Sequence, residues 1–340
     1  MRTSRPVAPR AKRALVTGGL GFIGSSLVLS LLEAGFDVTV VDPCIEGCGG
    51  NPENLGKWIR HVRCLPFDIG HTEMLREAIR SAEVIFNLAG ELRHHHSMLD
   101  PKRDLDINVG SQLLFLRACV QWNPGVRVIY AGTRQVYGVT GGLPVDERHS
   151  IEPVDFNGVH KQAASSYHVL LGRQGLLDTC VLHLSNVYGP RMSLEVAGQG
   201  FLSTFVRRLR EGRTLRVYGD GRQIRDPIYV DDAVEAFLLA AGSQTVPSRI
   251  YNLGGPDALT LLEIATIAST AAGAPPPELC PFPPEQLRID IGDYQADTRR
   301  IRSELRWFAR SSFQEGISLT LQAYGIAPAW MPETSMRRGV

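Results

Sequence analysis

With 340 residues the chain is longer than one average domain and suits a single α/β core carrying a subsidiary lobe. Its formal net charge of +1 gives no basis for a nucleic acid or a membrane surface as main partner, and no apolar run reaches the ~18 residues of a spanning helix. Six cysteines (Cys44, Cys48, Cys64, Cys119, Cys180, Cys280) lack metal-ligand spacing, which predicts reduced thiols in the cytoplasm and no metal site.

Arg2, Arg5, Arg10, Lys12 and Arg13 open the chain with no apolar stretch behind them, so a disordered leader over 1–11 is expected rather than a secretory signal. A short buried-strand pattern, Ala14 to Thr17, then runs into Gly18, Gly19, Gly21, Phe22, Ile23 and Gly24, and a helical apolar run follows at Leu27 to Leu32. Glycines at this spacing let the chain turn tightly and let a pyrophosphate approach the backbone, and the helix start offers free N–H groups to the anion. Phe36 to Val41 reads as the second strand and Asp42 closes it about 20 residues on, where an acid accepts ribose hydroxyls. Pro43 and Cys44 follow with no cation for a 2′-phosphate, so NAD is favoured over NADP.

Residues 47–55 read as a Gly/Asn/Pro loop, and His61 to Leu65 as a third strand ending near Asp68 and Ile69. Thr72 to Arg80 is helical in pattern, Glu83 to Leu88 is a fourth strand running into Ala89 and Gly90, and Asp104 to Gln121 is a long helix. Val126 to Ala131 is a fifth strand, a helix starts near Asn157 and continues to Leu171, and Thr179 to Leu184 is another buried strand. Alternation of this kind predicts a parallel sheet covered on both faces. Beyond Val187 the segments shorten and Gly and Pro become frequent, as in a smaller lobe built from insertions. Tyr229 to Ala241 and Arg249 to Leu253 are expected to return to the main domain, Ala274 to Pro284 to act as a linker, and Glu333 to Val340 to fray.

Separated motifs then line up. They are the glycine loop, Asn87-Leu88-Ala89-Gly90, Tyr130 to Gly138 (YAGTRQVYG), Pro153 to Lys161 (PVDFNGVHK), Leu184 to Pro190 (LSNVYGP) and Arg225 to Asp232 (RDPIYVDD). Together, over about Lys12 to Trp307, the chain resembles the extended short-chain dehydrogenases, and within them the NAD-dependent nucleotide-sugar epimerases and dehydratases. The resemblance implies a Rossmann-like doubly wound α/β fold with a smaller C-terminal substrate lobe: 12–186 binding NAD and receiving about 226–253, with 187–225 and 254–332 forming the lobe. It also implies NAD contacts from Gly18, Gly21, Phe22, Ile23, Gly24, Asp42, Asp68, Ile69, Leu88, Ala89, Gly90 and Lys161, with Asn108 bracing the site.

In that family a Ser or Thr after the fifth strand meets the sugar oxygen being oxidised, and a Tyr-x-x-x-Lys pair supplies the base. Thr133 and Lys161 fill two of these places, but Asn157 stands where the tyrosine belongs. An amide cannot take a hydroxyl proton, so Lys161, Tyr137, Glu91 and one of His94, His95 or His96 are left as alternative bases. A loop carrying these histidines should reach over the sugar. His160 should point away from Lys161, since adjacent helical residues diverge by about 100°.

Arg134 and Gln135 occupy the places where the related dehydratases carry an Asp-Glu pair, so neither water elimination nor decarboxylation has its usual groups, and epimerisation, C4-type inversion through a transient keto-sugar, fits best. A dehydratase or decarboxylase with unusual residues and a silent NAD and nucleotide-sugar binding protein stay open as alternatives. On the substrate side Asn186 and Arg225 are expected at the diphosphate, with Arg288 displaced from its usual position and Arg191 as a substitute; Arg207, Arg208 and Arg210 read as a solvated face. A homodimer through the helices near Asn108 to Gln121 and Asn157 to Leu171, using Leu113, Leu116, Val169 and Leu170, is also implied.

Overall fold

The computed structural model describes residues 12–196, 200–243 and 249–329, so the expected leader and frayed tail lie outside the described residues. Short runs rich in valine, isoleucine and leucine form β1 (Arg13–Thr17), β2 (Asp37–Val41), β3 (Arg63–Leu65), β4 (Val84–Asn87), β5 (Arg127–Thr133) and β6 (Asp178–Leu184). These strands pair in parallel in the order 3-2-1-4-5-6, and Arg249–Leu253 adds a seventh beside β6. Apolar side chains point both ways from the central strands because helices cover both faces.

On one face α1 (Phe22–Glu33) buries Leu27, Val28 and Leu31 in the same cluster as Val234 and Phe237. On the other, α2 (Thr72–Ser81) contributes Leu75 and Ile79 to a separate cluster. Strand order reverses between β1 and β4, and a cleft opens at the carboxyl ends of the strands at such a point.

Three elements depart from expectation. His94 to His96 lie not in a loop but in a short helix, α3 (His94–Leu99). The long helix is built in pieces, α4 (Pro101–Leu105), a wide π turn at Asp106–Gly110, and α5 (Ser111–Trp122). Pro101 at the first turn and the Asp100 side chain, which accepts from Arg103 N, start it three residues early. Residues 52–61, which overlap the loop expected over 47–55 and the expected strand start at His61, form 3₁₀ turns broken at Gly56.

α6 (Phe156–Arg173) is capped by Asp155, whose Oδ1 accepts from Gly158 N at 2.6 Å. After β6 come α7 (Phe201–Arg210) and α8 (Val230–Gly242), the latter packed back on the sheet. The outer lobe holds short paired strands, including Glu278–Cys280 alongside Arg216–Tyr218. That pairing lies inside the proline-rich stretch expected to be a linker, where no local pattern announces a strand.

Candidate active site

The cleft encloses about 750 Å³ and runs from the β1–α1 turn to the outer lobe. At the β1 end the backbone is shaped for glycine. Gly18 has φ +67°, and a Cβ on Gly24 would lie 2.0 Å from Gly18 O, so α1 can sit this close only with a bare Cα. α1 begins at Gly21 with no side-chain cap, leaving its first N–H groups facing the cleft. Asp42 fixes the loop beside it, Oδ2 accepting from Leu20 N at 3.1 Å and Oδ1 from Cys44 N at 2.9 Å. Burial raises its pKa, and those two hydrogen bonds pull the other way. Asp68 Oδ1 accepts from Ser111 Oγ and Gly70 N, both at 2.7 Å.

At the middle of the cleft Lys161 Nζ donates to Ala131 O at 2.8 Å and lies 4.5 Å from the centre of the Tyr130 ring. Burial draws the ammonium down to about 8, with Asp104 opposing. Thr133 Oγ1 accepts from Gln135 N at 3.2 Å, which leaves its own hydrogen free to donate. The side chain of Gln135 is spent on Asp155 Oδ2 at 2.9 Å and Ile289 O. His94 Nδ1 lies 3.0 Å from the same Asp155 oxygen, with the ring on the cleft wall. Burial lifts the Asp155 carboxyl, but the hydrogen bonds and charge it meets, His94 foremost, bring it below the usual range.

Toward the lobe, Arg225 donates through Nη1 to Ile224 O and Gly292 O and through Nη2 to Asp290 Oδ1 at 3.1 Å. Its acidic partner is therefore Asp290. Among the described residues, the charged side chains of the wall are Asp42, Asp68 and Asp290 against Lys161, Arg134, Arg207, Arg208, Arg216 and Arg225, with His94 and His95 between. All three acids already accept protein hydrogen bonds, so the lobe end presents a surplus of positive charge to anions.

The model of the NAD dependent epimerase/dehydratase family matches residues 14–254. The chain belongs to this family. It is 33% identical to a UDP-glucose 4-epimerase of Mycolicibacterium smegmatis over 92% of this chain and 98% of that one. It is 31% identical to a dTDP-glucose 4,6-dehydratase of Actinoplanes over 94% of this chain and 99% of that one. The UDP-glucose 4-epimerase of Thermus thermophilus, solved as a complex with NAD, superposes with a TM-score of 0.81 at 30% identity, covering 92% and 99% of the two chains. Membership makes this an NAD-dependent enzyme of the epimerase/dehydratase type. The uncapped α1 start and the glycines that leave room above it fit the cofactor's pyrophosphate.

Against this family frame, Gly18, Gly21, Phe22, Ile23, Gly24, Asp42, Asp68, Ile69, Leu88, Ala89, Gly90 and Lys161 all line the cleft, as do Thr133, Arg134, Gln135, His94, Asn186 and Arg225. His95 lines it too, while the other expected residues do not. Tyr137 is turned away, its hydroxyl donating to Asn252 Oδ1 at 2.7 Å and lying 3.1 Å from His183 Nδ1. Burial pushes that phenol further up, so it is no base. Glu91 is 1% exposed and its carboxylate is filled by Arg93 and Cys48. Arg191 bends back to Ser26 Oγ at 2.9 Å, and Arg288 is exposed on the outer lobe. Arg207 and Arg208, expected on a solvated face, line the cleft and are half-buried, with Arg208 Nε donating to Thr214 O at 2.8 Å.

Asn157 is also outside the wall. It is fully buried, its Nδ2 donating to Glu91 O at 2.8 Å and Asp104 Oδ2 at 2.9 Å, and its backbone N donating to Ser97 Oγ at 3.1 Å. Asp104 Oδ1 meets His160 Nδ1 at 2.7 Å and accepts from Asn108 Nδ2 at 3.0 Å. Asn108 in turn holds the backbone of Glu91 through both ends of its amide, so it braces the loop without reaching the cleft. His160 faces away from Lys161, as helical geometry requires, and into this cluster. Asp104 and Ser97 went unnoticed in sequence. Asp104 stands at the start of the expected long helix and Ser97 just after the histidines expected in a loop, and neither position carries a local signal of its distant partners.

Proposed function

We propose that this chain is a nucleotide-sugar epimerase that inverts one carbinol carbon, of the C4 type, with Lys161 as the proton acceptor in place of the absent phenol. The observation that carries it is the content of the turn after β5: Thr133 has a free hydroxyl hydrogen, while Arg134 and the committed Gln135 offer no group that could remove water. NAD, when bound, supplies a reversible hydride acceptor. Thr133 would donate to the sugar oxygen, and Lys161, as its free amine, would take the hydroxyl proton and return it after the ketone has turned over. Asn186, Arg225, Arg207, Arg208 and Arg216 would hold the diphosphate, and Asp42 the adenosine ribose.

The proposed division is an NAD-binding part over 12–186 with about 226–253, and a substrate lobe from 187–225 and 254–332. We place the enzyme in the cytoplasm on its six free thiols and on the lack, among the described residues, of a helix long and apolar enough to cross a membrane. A homodimer through α5 and α6 would cover exposed Leu113, Leu114, Val159 and Leu170, but not Leu116, which is buried in the chain's own core. A monomer from Leu170→Asp by size exclusion supports that face; an unchanged oligomer refutes it.

Incubation with a panel of nucleotide sugars, followed by NMR, tests the reaction. An inverted product is expected. Loss of water or carbon dioxide, or binding without turnover, would refute epimerisation.

A further inference from the structure

Arg134 is a buried arginine of the cleft wall that, among the described residues, pairs with no carboxylate, unlike its neighbour Arg225. It is 9% exposed, its Nη1 is buried without a hydrogen-bond partner, and no carboxylate among the described residues lies within ion-pair reach of it. Its guanidinium lies 5.1 Å from the centre of the Tyr294 ring. The nearby acids are taken. Asp226 accepts from Ser185 Oγ and from Ala296 N at 2.8 Å, and Asp290 is held by Arg225. Arg225 adds repulsion from a like charge, so that burial first and this neighbour second draw Arg134 down to about 10. A desolvated, unpaired charge is expensive to keep, and an arriving anion removes the cost.

Position decides which anion. Arg134 directly follows Thr133, the donor for the reacting sugar oxygen, and both line the same stretch of cleft. The diphosphate already has Arg225 and the arginines of α7 to meet its two charges. We propose that Arg134 receives a carboxylate carried on the sugar ring itself, so that the substrate is a nucleotide-linked uronate rather than a neutral hexose. A planar guanidinium suits a carboxylate, which it can grip through two parallel N–H donors. The inference rests on the nucleotide-sugar reading above and narrows it.

Calorimetric titration of the NAD-loaded protein tests it, with UDP-glucuronate against UDP-glucose and dTDP-glucuronate against dTDP-glucose. For at least one nucleotide the uronate should bind about tenfold or more tighter than the neutral sugar, the worth of one charge-assisted pair. Arg134→Gln should bring that ratio to about one, and Arg134→Lys, which keeps the charge but not the fork, should leave an intermediate ratio. Should Arg134→Gln fail to fold, the lysine variant's reduced preference carries the test.

Equal wild-type affinities for uronate and neutral sugar would overturn the proposal while leaving the nucleotide-sugar reading intact. So would Arg134→Gln weakening both sugars alike, which would place Arg134 on the diphosphate. Failure of all four compounds to bind would overturn the broader reading, and this one with it.

Discussion

Putting a phenol back at position 157 is the most direct challenge to the buried cluster. Asn157→Tyr removes the donors to Glu91 O and Asp104 Oδ2, at 2.8 and 2.9 Å, from a site with no exposed surface. One bond to a neutral carbonyl is worth about 0.5–1.5 kcal/mol and one to a carboxylate about 1.5–3, so roughly 2–4.5 kcal/mol is lost from hydrogen bonding alone. Forcing a ring into the same space adds about 1–3 kcal/mol. Against a total stability of about 5–15 kcal/mol, the variant should remain folded but be clearly weakened.

Urea unfolding followed by circular dichroism gives the stability, with Asn157→Ala as the control that deletes the bonds without adding volume. NAD titration and turnover complete the assay. NAD should still bind, and turnover should fall. A rise in turnover would mean that the site is an ordinary one lacking its phenol, and would refute both the structural role of Asn157 and Lys161 as base.

Three other outcomes follow from the structure. With Lys161 in its proposed role as a free amine and burial holding its pKa at about 8, kcat/KM should climb with pH and level off above about 8, and Lys161→Met should abolish turnover; a flat profile would exclude that role. Gly24→Ala drives a methyl to 2.0 Å from Gly18 O, so NAD affinity should drop about tenfold or more by titration; unchanged affinity would show that α1 need not sit so close. His168 and His183 are held neutral by burial, at about 4 and about 3 against an ordinary 6.5. The unfolded chain therefore binds more protons below pH 6.5, and their contribution, fully present above 6.5, is lost as the pH falls toward 4 and 3. Chemical denaturation across that range should show it, and a stability independent of pH would refute it.

The sheet was readable because each strand carries its own signal, an apolar run bounded by turn residues, and β1 to β6 fall within a few residues of where those runs lie. The glycine loop was readable for the same reason, since its chemistry is local. What escaped notice depends on partners far away in the chain. Asn157 reads as a lost base until Asp104 and Glu91 stand beside it, more than fifty positions earlier. Tyr137 looks like a spare phenol until Asn252 claims its hydroxyl. Arg207 and Arg208 lie on a helix with both apolar and charged faces, and composition cannot say that the charged face borders the cleft.

Arg249–Leu253 completes the sheet beside β6, although the chain leaves for the outer lobe between the two. While the ribosome is still delivering that excursion, β6 has a bare edge rich in valine and leucine, able to template on another nascent chain. Completion of the sheet thus waits until the segment between the two strands has been made. A fragment ending at residue 243 should self-associate in light scattering where the full chain does not.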